Sequence, residues 1–314
     1  MPHHSLRITP LFVLASLTGC GGVSSPATPD AASAHDAPRD GTAGAGCNLA
    51  LPFGNVHAVG GLQTARDEEF ISLSPDELTV YVSSDLAAPG TANFDLYAAS
   101  RPSLTAAFGP LAPLTALVTP SDDRSASISS DGLTLLFHSS RGGNYDLYAT
   151  SRTSTSAPFP AATALGASIN TAGTETSPVL ASSGTALYFT RSSATTEELF
   201  VATLGATGFG SPVPVTDINA GGSALRVAIA ANGLTIYWAS ARAGGAGQQD
   251  IWTASRATPQ DAFSGIRNVA ELATPLQEFP DALSVDGCRL YFTSDRAGGA
   301  GGFDVYVAER PTVQ

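Results

Sequence analysis

The chain has 314 residues, of which 13% are charged, and a formal net charge of −12; all 15 of its basic residues are arginine. That acidic balance argues against nucleic acid as a partner, whose affinity rests on neutralising phosphates, and it is compatible with cations, basic proteins or neutral glycans. The length allows one large β domain behind a leader and a linker, and abundant Gly, Ser, Thr and Ala suit many short strands joined by tight turns.

Residues 1–20 have the plan of an export leader. Arg7 supplies a positive start, and Ile8 to Leu17 is a short apolar stretch, too short to span a bilayer as a helix. The stretch ends in Leu17-Thr18-Gly19-Cys20, which resembles the lipobox of bacterial lipoproteins. The resemblance implies that Cys20 becomes the acylated first residue of the mature protein. With Gly21 rather than Asp after it, it also implies delivery to the outer membrane of a double-membraned cell. A plain secretory signal with a chance Cys is the alternative. Residues 21–46 are small and polar, cannot bury a core, and read as a disordered tether. Such a tether spans on the order of 30 Å.

From Cys47 onward the chain repeats. Phe53, Phe108, Phe159, Phe209 and Phe263 open five units at spacings of 55, 51, 50 and 54 residues. Tyr81, Leu136, Tyr188, Tyr237 and Tyr291 mark an alternating apolar run in each unit. A closing strand follows: Asp95-Leu96-Tyr97, Asp146-Leu147-Tyr148, Glu198-Leu199-Phe200, Asp250-Ile251-Trp252 and Asp304-Val305-Tyr306. Each unit reads as four short strands, the first two exemplified by 55–59 and 70–74. The tight turn before the Tyr strand is Pro75-Asp76, Asp131-Gly132, Ser183-Gly184, Asn232-Gly233 or Asp286-Gly287. Roughly 50 residues per four-stranded unit is the arithmetic of a propeller blade.

The pattern S-x-D-G-x-x-x-Y/F-x-S-x-R-x-G-G…D-[LIV]-[YW]-x-A-x-R resembles the TolB-type (WD-like) β-propeller repeat of bacterial envelope proteins, and it covers residues 47–314. The N-terminal domain of TolB itself has no counterpart here. Five units imply an all-β, five-bladed propeller, with six blades as the alternative if one irregular unit is miscounted. The first strand then joins the last blade and closes the ring. Closure brings together Cys47 and Cys288, the two cysteines besides Cys20, and an exported domain can oxidise them to a disulfide.

Aligned on the turns, Glu68, Asp123, Glu175, Ala224 and Glu278 share one position just before each inner strand. Four carboxylates around one channel mouth can bind a divalent cation or a basic group, with Arg124 and Arg226 beside them. Equally, a residue repeated blade by blade can serve the joints between blades. The repeated aspartates Asp95, Asp146, Asp250 and Asp304 read as structural acceptors for the glycine loops before them. No helix follows Gly298–Gly302, so the loop lacks the phosphate-binding arrangement of a helix terminus. His57 and His138 have no metal-ligand spacing, and there is no G-x-S-x-G elbow. These features predict a monomeric, lipid-anchored envelope protein that binds a protein or polymer partner without catalysis or cofactor, touching the membrane only through its N-terminal lipid. Two alternatives stand: a glycoside hydrolase or lyase using the channel carboxylates, and a scaffold with no channel ligand.

Overall fold

The structure, a computed structural model, describes residues 46–87, 93–181, 184–206 and 208–313. The leader with Cys20, the tether up to residue 45 and Ser183 of the third turn lie outside the described residues.

Strand β1 (Gly54–Ala58) comes first and belongs to the last blade. Blade one is β2 (Glu68–Leu73), β3 (Thr79–Ser84), β4 (Asp95–Ser100) and β5 (Ala112–Pro113). Blade two is β6 (Asp123–Ile128), β7 (Thr134–Ser139), β8 (Asp146–Ser151) and β9 (Thr163–Ala164). Blade three is β10 (Thr174–Leu180), β11 (Ala186–Ser192), a long β12 (Glu197–Gly205) that turns back through β13 (Gly208–Phe209), and β14 (Val213–Pro214). One helical turn, α1 (Thr216–Asn219), leads into β15 (Leu225–Ile229), β16 (Thr235–Ser240), β17 (Asp250–Ser255) and β18 (Ser264–Asn268) of blade four. Blade five is β19 (Glu278–Leu283), β20 (Arg289–Ser294), β21 (Asp304–Glu309) and β1.

Every pairing within the blades is antiparallel, and β2, β6, β10, β15 and β19 pack side by side around a central channel. Closure is by β1 on β21, with His57 opposite Val307 and Ala58 opposite Tyr306. Five sheets complete the ring, so the six-bladed count is excluded. Cys47 and Cys288 form the disulfide, which bonds the segment before β1 to the start of β20. All five blades, the closing strand and the disulfide lie between residues 46 and 313, so this segment carries its whole core.

The repeated Phe and Tyr are explained by an arginine that follows the third strand of four blades. Arg101, Arg152, Arg256 and Arg310 lie over Phe108, Phe159, Phe263 and Phe53, 3.9–4.5 Å from the ring centroids. Each also donates through Nη2 to the Tyr hydroxyl of the preceding blade: Tyr291, Tyr81, Tyr188 and Tyr237, at 3.0–3.1 Å. Nε donates to a turn carbonyl, as from Arg152 to Gly132 at 2.8 Å. One arginine thus ties a blade's own turn and opening Phe to its neighbour. In blade three the arginine position is Leu204, and the Tyr that it would reach in blade two is Leu136. Donor and acceptor are absent together.

The first turn departs from expectation. Its left-handed residue is Glu77 (φ 58°), where the other blades use Gly132, Gly184, Gly233 and Gly287, so the turn is Asp76-Glu77 rather than Pro75-Asp76. A non-glycine residue is strained there. Glu77 is held by Arg289 at 2.6 Å and by the Tyr291 hydroxyl, which donates at 2.6 Å, both from blade five. The strained turn is therefore pinned at the seam where the ring closes.

The disulfide encloses a sequence separation of 241 residues; on the chain-entropy model a loop of that length is worth about 5 kcal/mol. Cys47→Ser is expected to lower the unfolding free energy of the 46–314 segment by about 3 to 5 kcal/mol in urea titration without reductant. Reductant should lower the parent by a similar amount and leave the variant unchanged.

Candidate functional site

The four aligned carboxylates do not line an open mouth. Glu68, Glu175 and Glu278 are wholly buried and Asp123 is 1% exposed. Each is the first or second residue of its inner strand and accepts from a threonine four residues earlier. The Thr119, Thr171 and Thr274 hydroxyls donate to Asp123, Glu175 and Glu278 at 3.0, 2.6 and 2.5 Å, and the Thr64 hydroxyl donates to Glu68. The backbone N–H of Thr64, Thr171 and Thr274 bonds the same carboxylates at 3.0–3.1 Å. The carboxylates therefore hold the lead-in loops. At the same position every inner strand donates a backbone hydrogen bond to the neighbouring blade, for example Asp123 to the Phe94 carbonyl at 2.8 Å and Ala224 to that of Glu197 at 3.1 Å.

Three of the four also pair with arginine: Arg141 with Asp123 (2.6 Å), Arg191 with Glu175 (2.8 Å) and Arg296 with Glu278 (3.3 Å). Blade one has the carboxylate without the arginine, because Leu86 stands two residues beyond Ser84 where Arg141 and Arg296 follow Ser139 and Ser294. Burial pushes the Glu68 carboxyl up to about 7, and the Thr64 hydrogen bonds offset this only in part. Blade four has the reverse, Arg242 without a carboxylate. There the Ala220 N–H, equivalent to that of Thr171, bonds the Thr216 carbonyl within α1 at 3.0 Å. The helical turn satisfies the group that a carboxylate satisfies elsewhere. Among the described residues no group of three or more His, Cys, Asp or Glu side chains could hold a metal ion.

The arginines expected beside the ring lie one layer nearer the axis. Arg124 donates to both oxygens of Asp122 at 2.8 and 2.9 Å and covers the Phe94 ring. Arg226 reaches across the channel from blade four and pairs with Glu69 of blade one. Its guanidinium lies between the rings of Phe70 and Phe279, at 3.4 and 4.1 Å. Phe303 packs edge-on against Phe279. Beside this plug His138 is buried, its Nδ1 accepting from the Ser177 N–H at 3.2 Å, with the Tyr145 ring edge-on. Burial, with Arg124 and Arg226 near, pulls the His138 pKa down to about 3, so the ring is neutral.

Just below the ring position each inner strand shifts register, a bulge that re-aims its side chains. Phe70, Ser125, Ser177 and Arg226 take positive φ there. In blade five the bulge presents Asp281 to the channel, where the matching residues of the other blades are Ile71, Ala126, Pro178 and Val227. Beyond this layer, toward the turns, a cavity of about 250 Å³ runs past Ile71, Ile128, Val179, Ile229 and Val285. The channel is thus a well, plugged at the strand starts and widening toward the turns.

Sequence reasoning missed Glu69, Phe70, Phe279 and Asp281, because a bulge leaves no mark in an alternating pattern. The glycine loops and Asp250 and Asp304 behave as expected: the Ala246, Gly247, Ala300 and Gly301 N–H groups bond these carboxylates at 2.9–3.2 Å. A Cβ at Gly247 or Gly301 would collide with the Leu276 or Arg66 carbonyl of the next blade. Trp238 and Trp252 are core residues.

No family model matches the chain, and no characterised protein matches it in sequence. Solved structures do. TolB from Acinetobacter baumannii is 14% identical with a TM-score of 0.45, over 79% of this chain and 55% of that one; the match spans about half the length of that protein. The α-L-arabinofuranosidase PaAbf62A from Podospora anserina is 12% identical with a TM-score of 0.52, over 82% and 96% of the two chains. A family 62 arabinofuranosidase from Coprinopsis cinerea is 11% identical with a TM-score of 0.52, over 83% and 98%. The likeness is of the fold alone. The chain is a five-bladed β-propeller.

Glu68 and Glu175 should respond oppositely to neutralisation. Folded Glu68 keeps its proton to about pH 7, whereas the unfolded group releases it near 4.5. Its contribution to stability is therefore full below 4.5 and lost as pH rises through 7. Glu68→Gln mimics the protonated group and should stabilise by about 1 to 2 kcal/mol at pH 8, with no gain at pH 4. Glu175→Gln leaves Arg191 without its counter-charge and should destabilise by about 1 to 3 kcal/mol at pH 7. Thermal melts of the two variants against the parent check both signs.

Proposed function

We propose that this chain is an exported, lipid-anchored lipoprotein of the TolB-type repeat class, whose propeller binds an envelope protein or polymer without turning it over. The observation that carries the non-enzymatic part is the commitment of the carboxylates at the strand-start end of the channel. Glycoside hydrolysis needs two carboxyl groups that face the substrate, one as acid and one as base or nucleophile. Here the four ring carboxylates are buried and bonded to threonine, three of them also to arginine, Glu69 is paired to Arg226, and Asp122 is held by Arg124 and by the Tyr145 hydroxyl at 2.5 Å. Neither tryptophan offers a platform for sugar. The fold shared with arabinofuranosidases supplies a scaffold and not this chemistry.

Export is supported by the leader-like residues 1–20 and by the Cys47–Cys288 disulfide, a bond kept in oxidising compartments. Lipid anchoring rests on Cys20 and delivery to the outer membrane on Gly21.

Two measurements test this. In a bacterium that processes lipoproteins, radiolabelled palmitate should enter the full chain and not Cys20→Ala; labelling of neither would refute the anchor. The 46–314 segment should be retained saturably by isolated envelope material and should release no sugar from a panel of arabinoxylans and aryl glycosides. Turnover lost on Glu69→Gln or Asp281→Asn would replace this reading with the hydrolase.

A further inference from the structure

The well on the turn side of the channel is unused by anything above, and its wall has one chemical irregularity. Its sides are Ile71, Ile128, Val179, Leu180, Ile229 and Leu283. The serines among them are engaged within the fold. The Ser72 and Ser127 hydroxyls accept from the Ile128 and Leu180 N–H groups of the next blades, at 3.1 and 3.3 Å. Ser74, Ser129 and Ser284 donate to Asp76, Asp131 and Asp286 within their turns, at 2.5–2.6 Å. Glu77 also borders the well but is paired with Arg289. At the inner end stands Asp281, the charged residue in a layer that is otherwise Ile71, Ala126, Pro178 and Val227.

Asp281 accepts from Thr293 alone, from its hydroxyl at 2.5 Å and from its backbone N–H, and has no salt bridge among the described residues. Arg226 is near but engaged, paired with Glu69 and covered on both faces by Phe70 and Phe279. A second, small cavity of about 30 Å³ lies on the other side of Asp281. It is lined by Ser125, 5% exposed, and by Arg226; the Ser125 hydroxyl and the Arg226 Nη1 have no hydrogen-bond partner among the described residues. The turns that frame the outer opening carry Asp76, Asp131 and Asp286 directly after the lining residues, with Asp286 offset by Arg289 at 3.6 Å. Hydrogen bonds from the Ser129 hydroxyl and the Leu133 N–H hold Asp131 below the usual carboxylate range, so it is charged at neutral pH.

An acidic rim attracts a cation, apolar walls accept an aliphatic stem, and a carboxylate at depth receives a positive head. A volume of about 250 Å³ leaves room for a short aliphatic chain. We propose that this well binds a primary ammonium group on a short aliphatic stem, with Asp281 as its counter-ion and the unpartnered Ser125 layer beyond it filled by water. The chain contains no lysine, so such a group comes from another molecule, either a free amine or a lysine of a partner. The proposal rests on the binding-module reading and names the chemistry that the channel recognises.

Burial pushes the Asp281 carboxyl up to about 7, with Arg226 lowering it and Glu69 raising it. Amine affinity should therefore rise between pH 6 and pH 8, while the amine itself stays protonated.

The test is calorimetric or NMR titration of the 46–314 segment with n-pentylamine, 1-pentanol and pentanoate. Pentylamine should bind at least tenfold more tightly than pentanol at pH 8, and pentanoate should not bind. Asp281→Asn keeps an acceptor for Thr293 and should erase the difference between amine and alcohol. Val285→Arg, on a mouth residue that is 59% exposed, should weaken the amine without touching the core, and it decides the matter if the Asp281 variant fails to fold. Equal affinity for amine and alcohol, absence of amine binding, or an amine preference that survives both substitutions overturns the proposal. A lysine peptide that binds while pentylamine and cadaverine compete with it identifies a partner's lysine as the source; cadaverine binding without the peptide identifies a free amine. Envelope retention that persists when pentylamine does not bind sinks this inference alone, and loss of retention sinks the binding-module reading.

Discussion

A four-stranded blade with two apolar faces is unstable alone, because each face must be covered by another blade. A ring meets that constraint only if its first and last blades also meet. The whole structure therefore depends on β1, which leaves the N-terminal side of the chain and completes blade five on β21. Three devices reinforce that one joint: the strand pairing, the Cys47–Cys288 bond on the outside, and the Glu77–Arg289–Tyr291 set on the turn side. The other four junctions are covalently continuous and lack a disulfide. The concentration of cross-links at the seam follows from its being the place where no short connecting loop holds neighbouring blades together.

Three of the other four junctions, and the seam itself, are also tied by arginine. A guanidinium can stack on a ring, donate to a turn carbonyl and reach a hydroxyl at once, because its donors form a planar fork and its faces stay weakly hydrated. Lysine could make one of these contacts. The use of arginine at 101, 152, 256 and 310 is thus a physical requirement of this packing, whatever set the composition of the genome. The joint loss at Leu136 and Leu204 fits the same view. A tyrosine hydroxyl buried without its donor would be costly, and an apolar replacement removes both needs.

Much of the fold was legible. Blade count, strand order, the closing strand and the disulfide follow from in-phase anchors, since a repeat states its architecture several times over. Two things were not. The turn at Glu77 was misplaced by one residue, because a glutamate in the left-handed region has no local signal and is sustained by Arg289 and Tyr291 from the far end of the chain. The channel cluster was hidden because every inner strand carries a bulge. Strict alternation puts Glu68 and Phe70 on one face, whereas the bulge sends Glu68 outward to Thr64 and brings Phe70 toward Arg226. The carboxylates that the alignment made conspicuous are therefore the ones withdrawn from solvent.

The break in that carboxylate ring at Ala224 illustrates how asymmetry should be weighed. From the sequence, one blade without a carboxylate suggests a site for a ligand. In the structure the α1 turn supplies the hydrogen bond that the missing carboxylate would have made, so the break is one structural solution exchanged for another. A different asymmetry, one layer inward, has no such compensation. Asp281 replaces an apolar residue at the inner end of a well whose walls are mostly apolar, and no element of the fold needs its charge: its partner Thr293 would be served as well by an asparagine. A buried carboxylate that the architecture does not require raises the energy of the folded state. Of the two irregularities in the ring, the one that costs stability without structural return is the one on which the proposed ammonium site rests.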